Sequence, residues 1–170
     1  YPQNVIKDAR ALLAKAQSMP ESLDADITRI RAIIELCTAE QAIDLDTAFT
    51  QPAFIEKQLE DAKLTDAGRA LLTCYQAKLY NDIYKRSSWK YNQVDAPLKP
   101  YPADVSEWSG LQFRTRISDL LAKAQSLAGN TPLSKFSDVL DYSPEALDYI
   151  PTLADFVRLS RFTTLASFVN

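Results

Sequence analysis

Residues 113–127 read FRTRISDLLAKAQSL, and the spacing of their apolar side chains decides the fold class. Apolar residues recur every three or four positions, at Phe113, Ile117, Leu120, Leu121, Ala124 and Leu127. That spacing is typical of the buried face of an α-helix. Candidate caps at 104–107 precede the stretch, and Gly129-Asn130 marks its end. We therefore predict an amphipathic helix that buries this face.

Stripes of the same period predict helices on both sides of this stretch. Before it we expect four helices. The first ends near Met19-Pro20, and the second has Asp24 or Asp26 as its cap and reaches about Ala48. The third runs from Pro52 to about Lys63, and the fourth opens at Thr65 or Asp66. After it we expect a short helix behind Pro132, a helical turn at 143–145 and a last helix that opens at Thr152. The fold class is therefore all-α, a multi-helix bundle or a short solenoid of antiparallel helix pairs, and residues 1–170 form a single helical domain.

An internal repeat keeps both architectures open. Residues 12–18 and 120–126 are identical, LLAKAQS, and each copy precedes a break and another helix. Duplication of a helix pair would produce such a repeat and favours a solenoid. The matched residues are common helix formers, so chance similarity in a bundle is the alternative.

One long proline-rich loop interrupts the helices at 87–103. It contains Pro97, Pro100 and Pro102, and no apolar period survives in it. A loop of this length in a compact domain is either functional or laid across the surface.

The residue inventory points away from catalysis. The chain has no histidine, which removes the Ser-His-Asp and Cys-His constellations, and three scattered glycines cannot build a phosphate-binding loop. We interpret the carboxylate pairs Asp24 with Asp26, Asp44 with Asp46, and Glu60 with Asp61 as caps and solvated charges, and Cys37 and Cys74 as small buried side chains, with a disulfide as the alternative. We therefore predict a protein that is not an enzyme and has no cofactor or metal.

Charge and hydropathy exclude two partner classes. Lys and Arg number 19 against 22 Asp and Glu, without the basic surface that nucleic acids need. No apolar run approaches the roughly 18 to 20 residues of a membrane span. We expect neither nucleic-acid binding nor a direct membrane span.

Two groups of side chains are candidate contact sites. The first alternates aromatic rings with cations and could hold a peptide or a glycan: Tyr84, Arg86, Trp89, Lys90 and Tyr91. The alternative is that these rings pin the long loop to the helices. The second lies on the last helix, whose apolar residues cover more than one stripe, so we expect burial on several sides. We predict that this helix contacts a following domain of a much longer polypeptide through Phe162, Leu165 and Phe168.

The order of features from Leu71 to Phe168 resembles a known family. A tyrosine-rich helix at 71–84 and the segment 85–91 are followed by the helix starts DVSEW (104–108) and IPTLADF (150–156). This order resembles the N-terminal helical region of the large alpha-2-macroglobulin-like proteins of Bacteroidetes.

The resemblance implies an exported protein of the periplasm or cell surface, some of whose relatives inhibit proteases. This chain would be a non-enzymatic scaffold or docking domain, with the downstream macroglobulin domains of the same polypeptide as its partners. The alternative is a freestanding solenoid-like module that binds a peptide or a glycan through the first group of side chains.

Overall fold

The helical stripes of the sequence become helices in the computed structural model, which describes residues 1–61 and 63–169. These residues contain seven α-helices, five short 3-10 helices and no β-strand, so the all-α prediction is confirmed. The α-helices are α1 (Pro2–Ser18), α2 (Leu23–Ile43), α3 (Gln51–Asp61), α4 (Asp66–Arg86), α5 (Ser88–Tyr91), α6 (Gly110–Leu127) and α7 (Leu153–Ala166). The 3-10 helices span Leu45–Phe49, Val105–Glu107, Leu133–Phe136, Pro144–Asp148 and Ser167–Val169.

Helix α4 is the centre of the fold. It contacts α2, α3, α6 and α7, whereas α1 packs chiefly along α2. Its side chains enter two apolar clusters, one around Leu72 and Phe136 and the other around Tyr84 and Phe113. In a solenoid each unit touches only its neighbours along the chain, so this arrangement is that of a multi-helix bundle.

The predicted starts of α4 and α7 were correct. Thr65 caps α4, since its hydroxyl accepts from the backbone N–H of Gly68 at 3.1 Å. Thr152 caps α7 and forms a reciprocal capping box with Asp155. Gly129, at φ 65°, follows the end of α6 as expected.

Two predicted caps were wrong. Helix α2 is capped by Ser22 rather than Asp24 or Asp26, and it ends at Ile43 rather than near Ala48, because Asp44 caps a separate 3-10 helix. The residues 104–107 likewise do not start α6, since Asp104 caps the 3-10 helix Val105–Glu107. A capping box of Ser109 and Gln112 starts α6 instead.

The predicted loop at 87–103 begins with α5 rather than with irregular chain. Residues 92–104, here called the proline segment, contain neither helix nor strand. The buried Gln112 amide donates to the carbonyls of Pro97 and Leu98, both at 3.1 Å, and Trp108 donates its indole N–H to Pro102 at 2.7 Å. The proline segment is thus held against the start of α6.

The two copies of the repeated heptapeptide are equivalent helix ends with different neighbours. Ala16 and Ala124 are both buried, and the hydroxyls of Ser18 and Ser126 each donate to a carbonyl three residues earlier. The first copy ends α1, which packs chiefly on α2, whereas the second ends α6, which packs on α4 and α7. The repeat therefore encodes a helix end, whatever its origin.

Candidate functional site

A groove of about 570 Å³ lies between α2, α4, α6 and α7. We call it the α7 groove because α7 forms one of its walls. Most of its lining is apolar, including Ile34, Leu71, Leu121, Leu140, Phe156 and Leu159. A groove of this size with mostly apolar walls is typical of a binding site.

Polar residues also line the α7 groove, at Tyr75, Lys78, Asn81, Asp141, Ser160, Thr163 and Thr164. The Asn81 side-chain oxygen is buried and has no hydrogen-bond partner among the described residues, so an occupant could donate to it. At the rim, the Lys78 ammonium is 2.7 Å from the carboxylate of Asp82. The groove therefore favours a mainly apolar occupant that donates a hydrogen bond to Asn81.

The cysteines lack the properties of a nucleophilic site. Both thiols are free: Cys37 is buried as expected, and Cys74 is half-buried on the wall of the α7 groove. Burial raises the pKa of each thiol to about 12, with the charge of Glu40 adding to the effect at Cys37. Both therefore remain protonated at neutral pH, whereas thiol chemistry needs the thiolate.

Helix α7 is buried along one side. Only Leu153 and Val157 of α7 are fully buried, while Leu159 is 49% and Phe162 73% exposed. Within the described residues α7 packs chiefly on α6 and to a lesser extent on α4, and the burial of its other sides by a following domain stays a prediction. Helix α4, by contrast, is buried on several sides by α2, α3 and α6.

The three predicted interdomain residues take different places. Phe162 lies on the surface, and Leu165 is half-buried. Phe168 packs edge-on against the ring of Tyr84, with 5.9 Å between ring centroids, and beneath the Lys85 ammonium. The outward apolar face is therefore formed by Leu159 and Phe162, and Phe168 helps to attach the chain end to the bundle.

The predicted aromatic and basic surface is divided between core and solvent. Tyr84 and Tyr91 are buried against the ring of Phe113, with centroids 5.7 and 4.6 Å apart. Trp89 is 68% exposed, and Lys90 is exposed beside it. Two tyrosines thus contribute to packing, as the pinning alternative expected.

Arg86, the remaining member of the predicted surface, is exposed at the end of α4. Its guanidinium donates to the side chain of Gln41 at 3.0 Å. Arg86, Trp89 and Lys90 are therefore the solvent-facing part of this predicted contact site.

The described members of the carboxylate pairs lie in different environments. Asp24 is exposed, whereas Asp26 is buried and accepts from the N–H and hydroxyl of Thr65 at 3.0 and 2.5 Å. Asp44 accepts from the backbone N–H of Asp46. The remaining pair includes Asp61, whose side chain lies outside the described residues.

Burial gives Asp26 a distinct titration. Desolvation raises its pKa, and this effect exceeds the opposing hydrogen bonds from Thr65 and the charge of Arg29. The folded chain therefore binds the Asp26 proton more tightly than the unfolded chain does.

We expect Asp26→Asn to gain stability relative to wild type as the pH rises from about 4 to about 7. Wild type loses stability as the pH passes through the raised pKa, because the buried carboxylate must then ionise, whereas asparagine has no proton to lose. Urea unfolding across this range measures the difference. Asp24→Asn, two residues away but exposed, is the control, and equal pH slopes in wild type and Asp26→Asn would contradict the prediction.

A second, polar cleft was not anticipated from the sequence. It has a volume of about 440 Å³ and lies between α3, α4, α6 and the proline segment. Two of its lining residues, Thr73 and Gln76, are buried on α4 but present side-chain oxygens without a hydrogen-bond partner among the described residues. The available signal was the spacing of these polar residues, three apart in an otherwise apolar part of α4.

Three further features bear on the kind of site that the chain could hold. Within residues 1–61 and 63–169, no helix combines the length and apolar composition that a membrane crossing requires. The same residues contain no cluster of three or more Cys, Asp or Glu side chains that could hold a metal ion. No family model, curated protein or solved structure matches the chain.

Proposed function

We propose that the chain is a non-enzymatic helical docking domain and that α7 is the element that binds another protein domain. One observation carries the proposal: Leu159 and Phe162 are exposed on α7, and Leu159 also lines the apolar α7 groove. Exposed apolar side chains beside an apolar groove are typical of protein contact sites, in which an aromatic anchor often dominates the binding energy.

The proposed partner is a following domain of the same polypeptide. The resemblance to alpha-2-macroglobulin-like proteins supports this, because their helical region precedes a series of β-sandwich domains. A partner surface that places one apolar side chain in the α7 groove and covers Phe162 would bury both features together. The chain would then be the scaffold of a periplasmic or cell-surface protein whose full length acts in protease inhibition.

We expect Phe162→Asp to weaken this contact in the full-length polypeptide. Covering an aspartate desolvates its charge, which should cost at least about 2 kcal/mol of docking free energy. Hydrogen exchange of the α7 amides measures the loss as faster exchange. In the 170-residue chain by itself, the same change should alter the free energy of unfolding by no more than about 0.5 kcal/mol, because Phe162 is mostly exposed.

Trp89→Ala is the matched control, since it removes an equally exposed aromatic side chain from another part of the surface. It should leave the exchange of α7 unchanged. Equal exchange of the α7 amides in wild type and Phe162→Asp would contradict the docking proposal.

A second candidate function rests on the exposure of Trp89. Its ring stands on the short helix α5 next to Lys90, with Arg86 nearby in sequence, and all three are exposed. An exposed indole flanked by cations is suited to stacking on a sugar ring or packing against a peptide. In this case Trp89→Ala would abolish binding to a peptide or glycan array, and Phe162→Asp would not.

A further inference from the structure

We infer that the polar cleft between α3, α4 and α6 binds a small zwitterion of the amino-acid type, with a free ammonium and a free carboxylate. This site is separate from the α7 contact proposed above and rests on different residues. The inference rests on two buried oxygens without partners and on the charges around them.

The unpartnered oxygens call for a ligand that donates hydrogen bonds. Thr73 and Gln76 are each only 1% exposed, yet the hydroxyl of Thr73 and the amide oxygen of Gln76 have no partner among the described residues. Leaving such groups unpaired in a folded protein is costly, so buried polar atoms normally have a partner. Both residues lie on one side of α4, three positions apart, and both line the cleft.

A carboxylate beside these oxygens favours an ammonium as the donor. The Gln76 amide nitrogen donates to the Pro52 carbonyl at 3.1 Å and to the Glu56 carboxylate at 2.8 Å. These bonds fix the orientation of the amide and leave its oxygen free. An ammonium has three donors and a positive charge, so it can bond to Gln76 and Thr73 while Glu56 balances its charge.

Cations on the other walls of the cleft suit the carboxylate of the same ligand. Arg116 and Lys123 of α6 and Lys99 of the proline segment all line it, and these three cations outnumber the carboxylate of Asp119 on the α6 wall. The Arg116 guanidinium lies over the ring of Tyr101, 4.7 Å from its centroid, and is held there by that contact. A guanidinium fixed in this way can bind a carboxylate through two parallel hydrogen bonds.

The cleft suits a small ligand rather than a polymer end. Its volume of about 440 Å³ lies in the range of small-molecule sites. The wall formed by the proline segment is held by hydrogen bonds from Gln112 and Trp108, so little ordering is needed on binding.

The test is a titration of the whole chain with free amino acids. Each of the twenty, at about 5 mM, is added to the protein labelled with nitrogen-15, because this concentration fills most sites of a ligand with a millimolar Kd. We expect at least one amino acid to shift the amide signals around Thr73, Gln76 and Arg116 in a saturable way. Its N-acetyl derivative and its carboxamide, each lacking one charge, should bind roughly tenfold more weakly or worse.

Two variants locate the binding. Thr73→Val keeps the shape of the side chain and removes the hydroxyl, and Arg116→Gln removes the cation; each should weaken binding by roughly tenfold or more. Thr28→Val is the control, because Thr28 is a half-buried residue of α2 that does not line the cleft, and it should bind like wild type. Thr73→Val should melt no lower than wild type, because it removes a buried hydroxyl without a partner.

Three results would overturn the inference. The first is that no amino acid gives a saturable shift, and the second is that the blocked derivatives bind as tightly as the free amino acid. The third is that binding survives both Thr73→Val and Arg116→Gln. A melting temperature of Thr73→Val below that of wild type, without any amino-acid binding, would instead assign the two oxygens to bound water.

Discussion

Replacing Phe113 with alanine should lower the free energy of unfolding by about 3–5 kcal/mol, the usual cost of deleting a fully buried aromatic ring. Phe113 is 0% exposed and contacts the rings of Tyr84, Tyr91 and Trp108, with centroids 4.6 to 5.7 Å apart. These rings come from α4, α5 and the segment before α6, so the cavity would open where three parts of the chain meet. Urea unfolding followed by circular dichroism measures the change.

Leu111→Ala is the control for this prediction. It lies two residues away on the same helix but is 50% exposed, and it should cost less than about 1 kcal/mol because little apolar surface is lost. A loss below about 1.5 kcal/mol for Phe113→Ala would mean that this cluster is loosely packed, contrary to the structure.

Gly68→Ala should destabilise the chain by about 1–3 kcal/mol through overpacking, although the same change in an exposed helix interior is stabilising. A Cβ at Gly68 would lie only 2.5 Å from Cγ of Asp26 and 2.8 Å from its Cβ, with the carboxylate oxygen closer still. The carboxylate cannot move away freely because it is buried and holds two hydrogen bonds from Thr65. Thermal and urea unfolding both measure the loss.

A double-mutant cycle with Asp26→Ala separates the steric effect from the helix propensity. By itself, Asp26→Ala should destabilise the chain, because the N–H of Thr65 loses its partner. In that background Gly68→Ala should cost clearly less, since the contacts with Cγ and the carboxylate are gone and only the approach to Cβ at position 26 remains. If Gly68→Ala cost the same in both backgrounds, the close approach of α2 and α4 would not be the cause.

Local sequence patterns were sufficient for most helices and for several of their ends. The stripe of Phe113, Ile117 and Leu121 and the caps Thr65 and Thr152 depend only on residues within a few positions, so the sequence shows them directly. The cap of α2 was predicted wrongly because Ser22 and Asp26 are both good capping residues. Instead of capping α2, the Asp26 carboxylate accepts a hydrogen bond from Thr65, which is 39 positions away.

Long-range packing also decided which predicted contact residues reach the solvent. Tyr84 and Tyr91 look like surface aromatics beside cations, but Phe113 and the start of α6 cover them. Conversely, the apolar composition of α7 predicted burial, and the fold covers only the side that holds Leu153 and Val157. The α7 groove and the polar cleft join helices far apart in the sequence, so a local pattern could mark at most one wall, as the spacing of Thr73 and Gln76 does on α4. The resemblance to alpha-2-macroglobulin-like proteins stays a prediction.

Because α4 is central, it lines both the α7 groove and the polar cleft. Leu71 and Asn81 face the α7 groove, while Thr73 and Gln76 face the polar cleft on a different side of the same rod. A ligand that rotated or shifted α4 on binding to one cavity would change the shape of the other cavity. The coupling free energy would be the same whichever site is filled first. Binding of a small molecule in the polar cleft would then change the affinity of the contact that we propose for α7.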